Sequence, residues 1–297
     1  MNIRNVGEIM TVKIMADSSC DLTEHYYNEY DIEMVPLTVH LNNKEYRDSI
    51  DIQPKTVYDE MRAGKGTKTS QVSPQTFKTI FTSYAETNQP LVYLAFSSEL
   101  SGTYQSAAMM AEEVKESYPG AQIHVIDTKC ASIGYGLVIL RAAELAKEGA
   151  DAASIIETAS YHAEHMEHIF TVDDLEYLYR GGRVSKTAAF VGSLLKIKPL
   201  LHVEDGKLVP LEKIRGRKKV LGRMIDLMAA RGDDFSNQVI GISHGDDLER
   251  AEQLRDMICE KFNISQKNVV IEMVGAVIGA HSGPGTLALF FLNKPYK

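Results

Sequence analysis

A two-domain α/β protein, with a mostly parallel sheet in its first domain, is the fold that three features of this chain predict. Apolar strand candidates alternate with helical segments through about residue 150, the order that gives a sheet covered by helices on both faces. Beyond residue 166 the rhythm changes to include a hairpin, which calls for a second α/β domain with a mixed or antiparallel sheet. The length of 297 residues exceeds the common size of one domain, and the division is placed between residues 11–165 and 166–297.

Residues 12–16 read as the first strand, ending at Asp17-Ser18-Ser19-Cys20-Asp21, with a helical segment from near Leu22. Residues 34–41 supply a second strand and 57–61 a short helix; the glycine-rich stretch 64–71 is a loop before Pro74 and another helix. Residues 90–96 form an unbroken apolar run, the signature of a buried parallel strand. Ser101-Gly102 then opens a helix whose apolar positions include Tyr104, Ala108, Ala111 and Val114. After a strand at 123–127, Ser132, Gly134 and Gly136 introduce a helix over 137–147 so apolar that it belongs inside the molecule, against the sheet. A helix at 153–166, a strand at 168–172 and a helix at 175–179 lead to the break at Gly181-Gly182. Residues 200–203 and 207–211 flank Glu204-Asp205-Gly206 as a hairpin. Helices at 218–230 and 248–262 alternate with a strand at 239–243, and 269–279 reads as one or two further strands.

Hydrophobic residues make up 44% of the chain and charged residues 24%, a soluble globular composition. The formal charge of -8 argues against nucleic acid or anionic membrane as a general partner. Cys20, Cys130 and Cys259 lack metal-like spacing and leave one thiol over, which fits a reducing cytoplasm. Met1 to Met10 lack the features of a signal peptide, and no apolar run is long enough to span a membrane. Any lipid handled here is therefore enclosed, or met in transient contact at a membrane surface.

Recognition chemistry concentrates in two turns. Ser97-Ser98-Glu99-Leu100-Ser101-Gly102-Thr103-Tyr104 lies at the carboxyl end of a strand, the usual binding edge of an open α/β sheet. Its hydroxyls and helix-start amides suit a carboxylate or phosphate, although an ordinary N-cap explains one of the serines equally well. His281-Ser282-Gly283-Pro284-Gly285-Thr286 offers a largely uncharged donor among glycines that admit close backbone approach, against the commoner structural role of a lone histidine. Thr67, Thr69 and Ser70 form a hydroxyl cluster that serves an anion or its own turn. Asp17 and Asp127 follow strand ends but lack the His or Cys neighbours of a metal site, and no metal is assigned. Arg180, Arg183, Lys186, Lys196, Lys198 and the run Arg215-Gly216-Arg217-Lys218-Lys219 gather positive charge for a ligand or an acidic partner, or cover apolar surface with their stems. No nucleophile elbow, phosphate loop, zinc-protease motif or dinucleotide fingerprint is present.

Taken together and in order, these pieces resemble the DegV family of bacterial fatty-acid-binding proteins. The resemblance runs from about Val12 to Asn293 and rests on Asp17 to Leu22, Thr69-Ser70-Gln71, Ser97 to Tyr104, Asp127-Thr128 with Ser132, Gly134 and Gly136, Tyr179 to Arg183, and His281 to Thr286. It implies a Rossmann-like first domain, a second α/β domain and one long-chain fatty acid buried between them, with no other cofactor. The carboxylate would meet Thr69, Ser70, Ser97, Ser98 and His281, with Arg180, Arg183, Ser101, Gly102 and Ser282 in support. Apart from the resemblance, the charge of Arg180, Arg183 and the run from Arg215 and Arg217 to Lys219 makes them candidate contacts for a partner. Each buried methylene contributes roughly 0.8 kcal/mol, so a tail of about sixteen carbons carries most of the attraction while neutral donors orient the head. Some family members resemble the lipid-binding subunit of a fatty-acid kinase, which implies presentation of the carboxylate to a separate ATP-dependent subunit and no catalytic residue in this chain. Two other readings compete: an enzyme acting on a small acyl or phosphorylated substrate, with His281 as acid or base and Ser98 as nucleophile, and a protein-interaction module.

Overall fold

The computed structural model describes residues 11–185 and 197–296, so Met1 to Met10, Lys186 and Lys196 lie outside the described residues. In chain order the first half runs β1 (Lys13–Asp17), α1 (Glu24–Glu29), β2 (Glu33–Val35), β3 (Thr38–Leu41), β4 (Lys44–Arg47), α2 (Pro54–Arg62), β5 (Thr67–Ser70) and α3 (Pro74–Thr87). It continues through β6 (Leu91–Ala95), α4 (Thr103–Ser117), β7 (Ile123–Asp127), α5 (Ser132–Lys147) and α6 (Ala152–His165). The second half holds β8 (Met166–Thr171), α7 (Glu176–Arg180), β9 (Ile197–Glu204), β10 (Lys207–Arg215) and α8 (Arg217–Arg231). It ends with β11 (Ile240–His244), α9 (Leu248–Phe262), β12 (Val269–Met273), α10 (Ala276–Ser282) and β13 (Leu287–Leu292).

Three sheets result. A four-stranded parallel sheet has the order β2-β1-β6-β7, a small antiparallel sheet the order β4-β3-β5, and a six-stranded mixed sheet the order β10-β9-β8-β13-β11-β12. The α/β class, with a parallel sheet in the first half and a mixed one in the second, is therefore as the sequence predicts. All five residues of β6 are buried, as an unbroken apolar run requires. In β13 the period of two sends Ala288 and Phe290 to one face and Leu287, Leu289 and Phe291 to the other, where α8 and α9 cover them.

Three local expectations are corrected. The strand expected over residues 34–41 is two strands in different sheets, because Pro36 has no N–H for a continuous ladder. The loop expected over 64–71 contains β5, whose Thr67 and Thr69 alternate with Lys68 and Ser70 and pair with β3. The apolar stretch 269–279 is a strand only to Met273; Gly275 then caps a helix, α10. A short apolar run does not distinguish strand from buried helix by periodicity. His281 and Ser282 accordingly occupy the last helical turn, and only residues 283–285 form the turn proper.

Two helices tie the halves together. Buried α5 packs against β1 of the first sheet and against β8, β11 and β13 of the second. Helix α10, from the second half, packs against α2, β3 and β5 of the first. Both therefore pass along the space between the sheets.

Candidate functional site

A cavity of about 390 Å³ lies between the halves. Helix α10 forms one wall through Val277, Ile278, His281 and Ser282, a stripe with the three-and-four spacing of one helical face, and Val274 extends it just before the helix cap. The mixed sheet supplies Phe170, Ala288 and Phe290, the hairpin supplies Val203 and Leu208, and the first half contributes Leu37, Phe96 and Leu100. These are apolar groups over most of the enclosed length.

One end is polar. Thr69 Oγ1 and His281 Nε2 are 2.7 Å apart, joining β5 to the last turn of α10 across the two halves. Arg183 reaches the same end: its Nε and Nη2 donate to Leu100 O at 3.2 and 3.0 Å, and its Nη1 donates to Gly181 O. Burial pulls the His281 pKa down to about 4, and the neighbouring Arg183 charge adds to the shift, so the imidazole is neutral near pH 7. Burial also lowers the Arg183 pKa. The Gly181 Cα packs so close to His281 Nδ1 that a Cβ there would stand 2.3 Å from it. Ser101 and Gly102 border this end; the Ser101 hydroxyl meets Thr103 Oγ1 at 2.8 Å and accepts from its N–H at 3.2 Å. The Ser282 hydroxyl lines the cavity, is buried, and has no hydrogen-bond partner.

The opposite end is closed by satisfied polar groups. Ala131 N–H donates to His168 Nε2 at 3.1 Å and His168 Nδ1 bonds Met166 O at 2.9 Å, which fixes a neutral ring whose pKa burial lowers to about 4. Ser132 Oγ donates to Asp21 and meets Ser243 Oγ at 3.0 Å.

Several residues singled out in the sequence are engaged elsewhere. Ser97 Oγ donates to Gly206 O at 2.8 Å, and Ser98 Oγ accepts from Lys129 Nζ at 2.7 Å; neither borders the cavity. The turn after β6 uses these groups to satisfy itself and its neighbours, with Asp127 accepting from Ser98 N–H at 3.1 Å. Ser70 borders the cavity, but its hydroxyl is bonded to His40 Nε2 at 2.6 Å. Arg180 pairs with Glu176 at 2.9 Å on the surface, Arg217 pairs with Asp247 at 2.9 Å, and Arg215 is exposed at the end of β10. Asp17 is fully buried and accepts from Ser19, Tyr93 and the Phe96 N–H, a framework role. Among the described residues no group of three or more His, Cys, Asp or Glu side chains is arranged to hold a metal ion, and no helix is long and apolar enough to cross a membrane.

The model of the DegV family, described as uncharacterised proteins, matches residues 11–294. The chain belongs to the DegV family. It is 42% identical over 283 residues to a DegV domain-containing protein of Clostridium perfringens, covering 94% of this chain and 97% of that one. Among solved structures, a DegV family protein of Thermus thermophilus described by its fatty-acid binding superposes with a TM-score of 0.85 at 30% identity, covering 95% of this chain and 99% of the other. A Thermotoga maritima protein described as revealing a fatty-acid-binding function gives a TM-score of 0.80 at 30% identity, over 95% and 98% of the two chains.

The geometry of this DegV protein does not assemble the competing enzyme site. His281 is bonded to Thr69, whereas Ser98 sits with Lys129. The Lys129 pKa is raised, first by its hydrogen bond to Asp127, so it stays an ammonium rather than a base. The cavity's apolar walls are what sequence reasoning missed. Their signal lay in the unbroken apolar run of β13, which reports burial without saying which face meets the cavity, and in the apolar positions of α10, which reading that segment as strand concealed.

Proposed function

We propose that this protein binds one long-chain fatty acid in the cavity between its halves, with the carboxylate at the Thr69, His281 and Arg183 end. The observation that carries this reading is an apolar enclosure whose polar groups are all paired at one end, while the other end gathers neutral donors, the unpartnered Ser282 hydroxyl and one half-buried guanidinium. The fatty-acid binding described for the Thermus and Thermotoga relatives supports it. A neutral His281 pressed against Gly181 at Nδ1 is best satisfied by donating from Nε2 to Thr69 Oγ1. The threonine proton is then free to donate to the ligand. Thr69 thus becomes the direct contact and His281 the group that orients it.

In the finer reading, the bound acid is presented to a separate ATP-dependent kinase subunit, and this chain contributes no catalytic group. Exposed Arg180 and Arg217 are the residues assigned to the partner face. Denaturing extraction with mass spectrometry tests the binding directly. Near-stoichiometric long-chain acid is expected from untreated protein, and saturable uptake of palmitic acid from delipidated protein. Thr69→Val should weaken that uptake about 30-fold, the worth of one hydrogen bond to a charged group, while leaving the matching fatty alcohol less affected. No extracted acid together with no saturable uptake overturns the reading.

A further inference from the structure

The β9–β10 hairpin is built as an arm with a hinge, a free span and a latch. Strand β9 pairs with β8 only through Leu200, Leu201 and His202, although β8 continues back to Met166. From Val203 onward the hairpin therefore peels away from its sheet. The departure coincides with a β-bulge in β10 between Pro210 and Glu212, opposite Leu201 and Leu200, and a bulge bends the strand that carries it. Beyond the bend, Val203 and Leu208 face each other across the hairpin, and both line the cavity.

The tip docks on the other half of the molecule. Gly206 is buried while Asp205 and Lys207 on either side are exposed. Its carbonyl accepts from Ser97 Oγ at 2.8 Å, and Lys207 makes a 3.5 Å ion pair with Glu99 at the surface. A Cβ at Gly206 would stand 2.5 Å from Ser97 Oγ and 2.7 Å from Lys129 Cδ, and its φ of +83° favours glycine at the turn. One neutral hydrogen bond and one exposed ion pair make a weak fastening for an edge hairpin. Among the described residues the other cavity walls include the mostly buried α10, β8 and β13 in the middle of their sheet, and Leu37, Phe96 and Leu100 of the first half.

The geometry points to the hairpin tip as the gate through which the acyl ligand is exchanged, with Ser97 as the positioning residue that latches it. This rests on the fatty-acid reading above, and it gives Ser97 a function other than contact with the carboxylate. Such a latch acts on the barrier to passage, so loosening it speeds uptake and release together and leaves the equilibrium affinity unchanged.

Stopped-flow exchange of a fluorescent polyene fatty acid, on the full chain, tests the gate. Ser97→Ala should speed both uptake and release about fivefold, with the dissociation constant unchanged. The paired variant Glu99→Cys with Gly206→Cys should form a disulfide, since an ideal Cβ at 206 stands 3.3 Å from Cγ of Glu99, the place of a cysteine sulfur. Oxidised, it should slow both rates sharply, and reduction should restore them. Should Gly206→Cys fail to fold, Glu99→Cys with Lys207→Cys serves the same purpose. Unchanged rates in a cross-linked protein whose disulfide is confirmed by mass overturn the gate, as does a Ser97→Ala protein whose affinity changes while its uptake rate does not. A wild-type protein that takes up no fatty acid defeats the binding reading instead.

Discussion

The two ends of α10 are built on opposite electrostatic plans. At its start, Asp21 accepts from Gly275 N–H at 2.9 Å and from Ser132, and Asp48 faces the amides of Ala276 and Val277 without a hydrogen bond of good geometry. Both carboxyls are buried, and burial raises their pKa values, Asp48 to about 6. At its end stands His281, where the helix dipole would favour a cation, yet burial and then Arg183 keep the ring neutral. Buried carboxyl groups thus secure one end of the helix against the first half of the chain. The other end is left without a resident anion beside Arg183 and Thr69. Under the proposed function, a helix that must stay put and still receive a carboxylate divides those tasks between its termini.

The two ends should titrate in opposite directions. For His281 the folded pKa of about 4 lies below the free value of 6.5, so the unfolded chain binds the proton first. Its stability contribution is present above pH 6.5 and is lost as pH falls toward 4, at most about 3 kcal/mol at 1.36 kcal/mol per unit. Denaturant unfolding of delipidated wild type and His281→Gln across that range should show a shallower acid loss in the variant. Parallel slopes would remove the C-terminal half of the contrast. Bound carboxylate should reduce the wild-type loss as well, by favouring the imidazolium.

Asp48 sharpens the other half at a smaller magnitude. Its folded pKa of about 6 exceeds the free value of 3.8, so the folded protein binds the proton first and stability declines as pH rises between those values. Asp48→Asn should flatten that decline and stabilise the protein by roughly 1–2 kcal/mol at pH 8, less than the full shift because the α10 amides also favour the anion. A destabilised variant at pH 8 would mean that Asp48 holds α10 through its charge, and would place both ends under the same rule.

What could be read from the sequence was set by how local each signal is. Strand β6 and helix α5 were legible because an apolar run and a nearly all-apolar helix report burial directly. Thr69 and His281 were legible as chemistry, but their contact spans 212 positions and has no local signature. The serines after β6 show the converse. Three hydroxyls in one turn look like a single anion site, yet the backbone turns Ser97 toward Gly206, Ser98 toward Lys129 and only Ser101 to the cavity edge. Spacing along a turn does not reveal which way each side chain points. The asymmetry between the ends of α10 was hidden for another reason, since Asp21 and Asp48 gain their meaning only from a helix more than two hundred residues later.

Ser282 gives the smallest and most discriminating of these contrasts. It lies one residue from His281 on the cavity wall, and its buried hydroxyl has no partner. In delipidated protein that hydroxyl contributes only its desolvation cost, so Ser282→Ala should be neutral or stabilising by up to about 1 kcal/mol. In loaded protein the same hydroxyl stands beside the proposed carboxylate end, where it gains an acceptor, and its removal should cost stability. Calorimetry of both forms should therefore show Ser282→Ala narrowing the gap between loaded and delipidated melting temperatures from both sides. An identical shift in the two forms would mean that the hydroxyl never meets the ligand, and the anion-receiving end of α10 would then comprise His281, Thr69 and Arg183 alone.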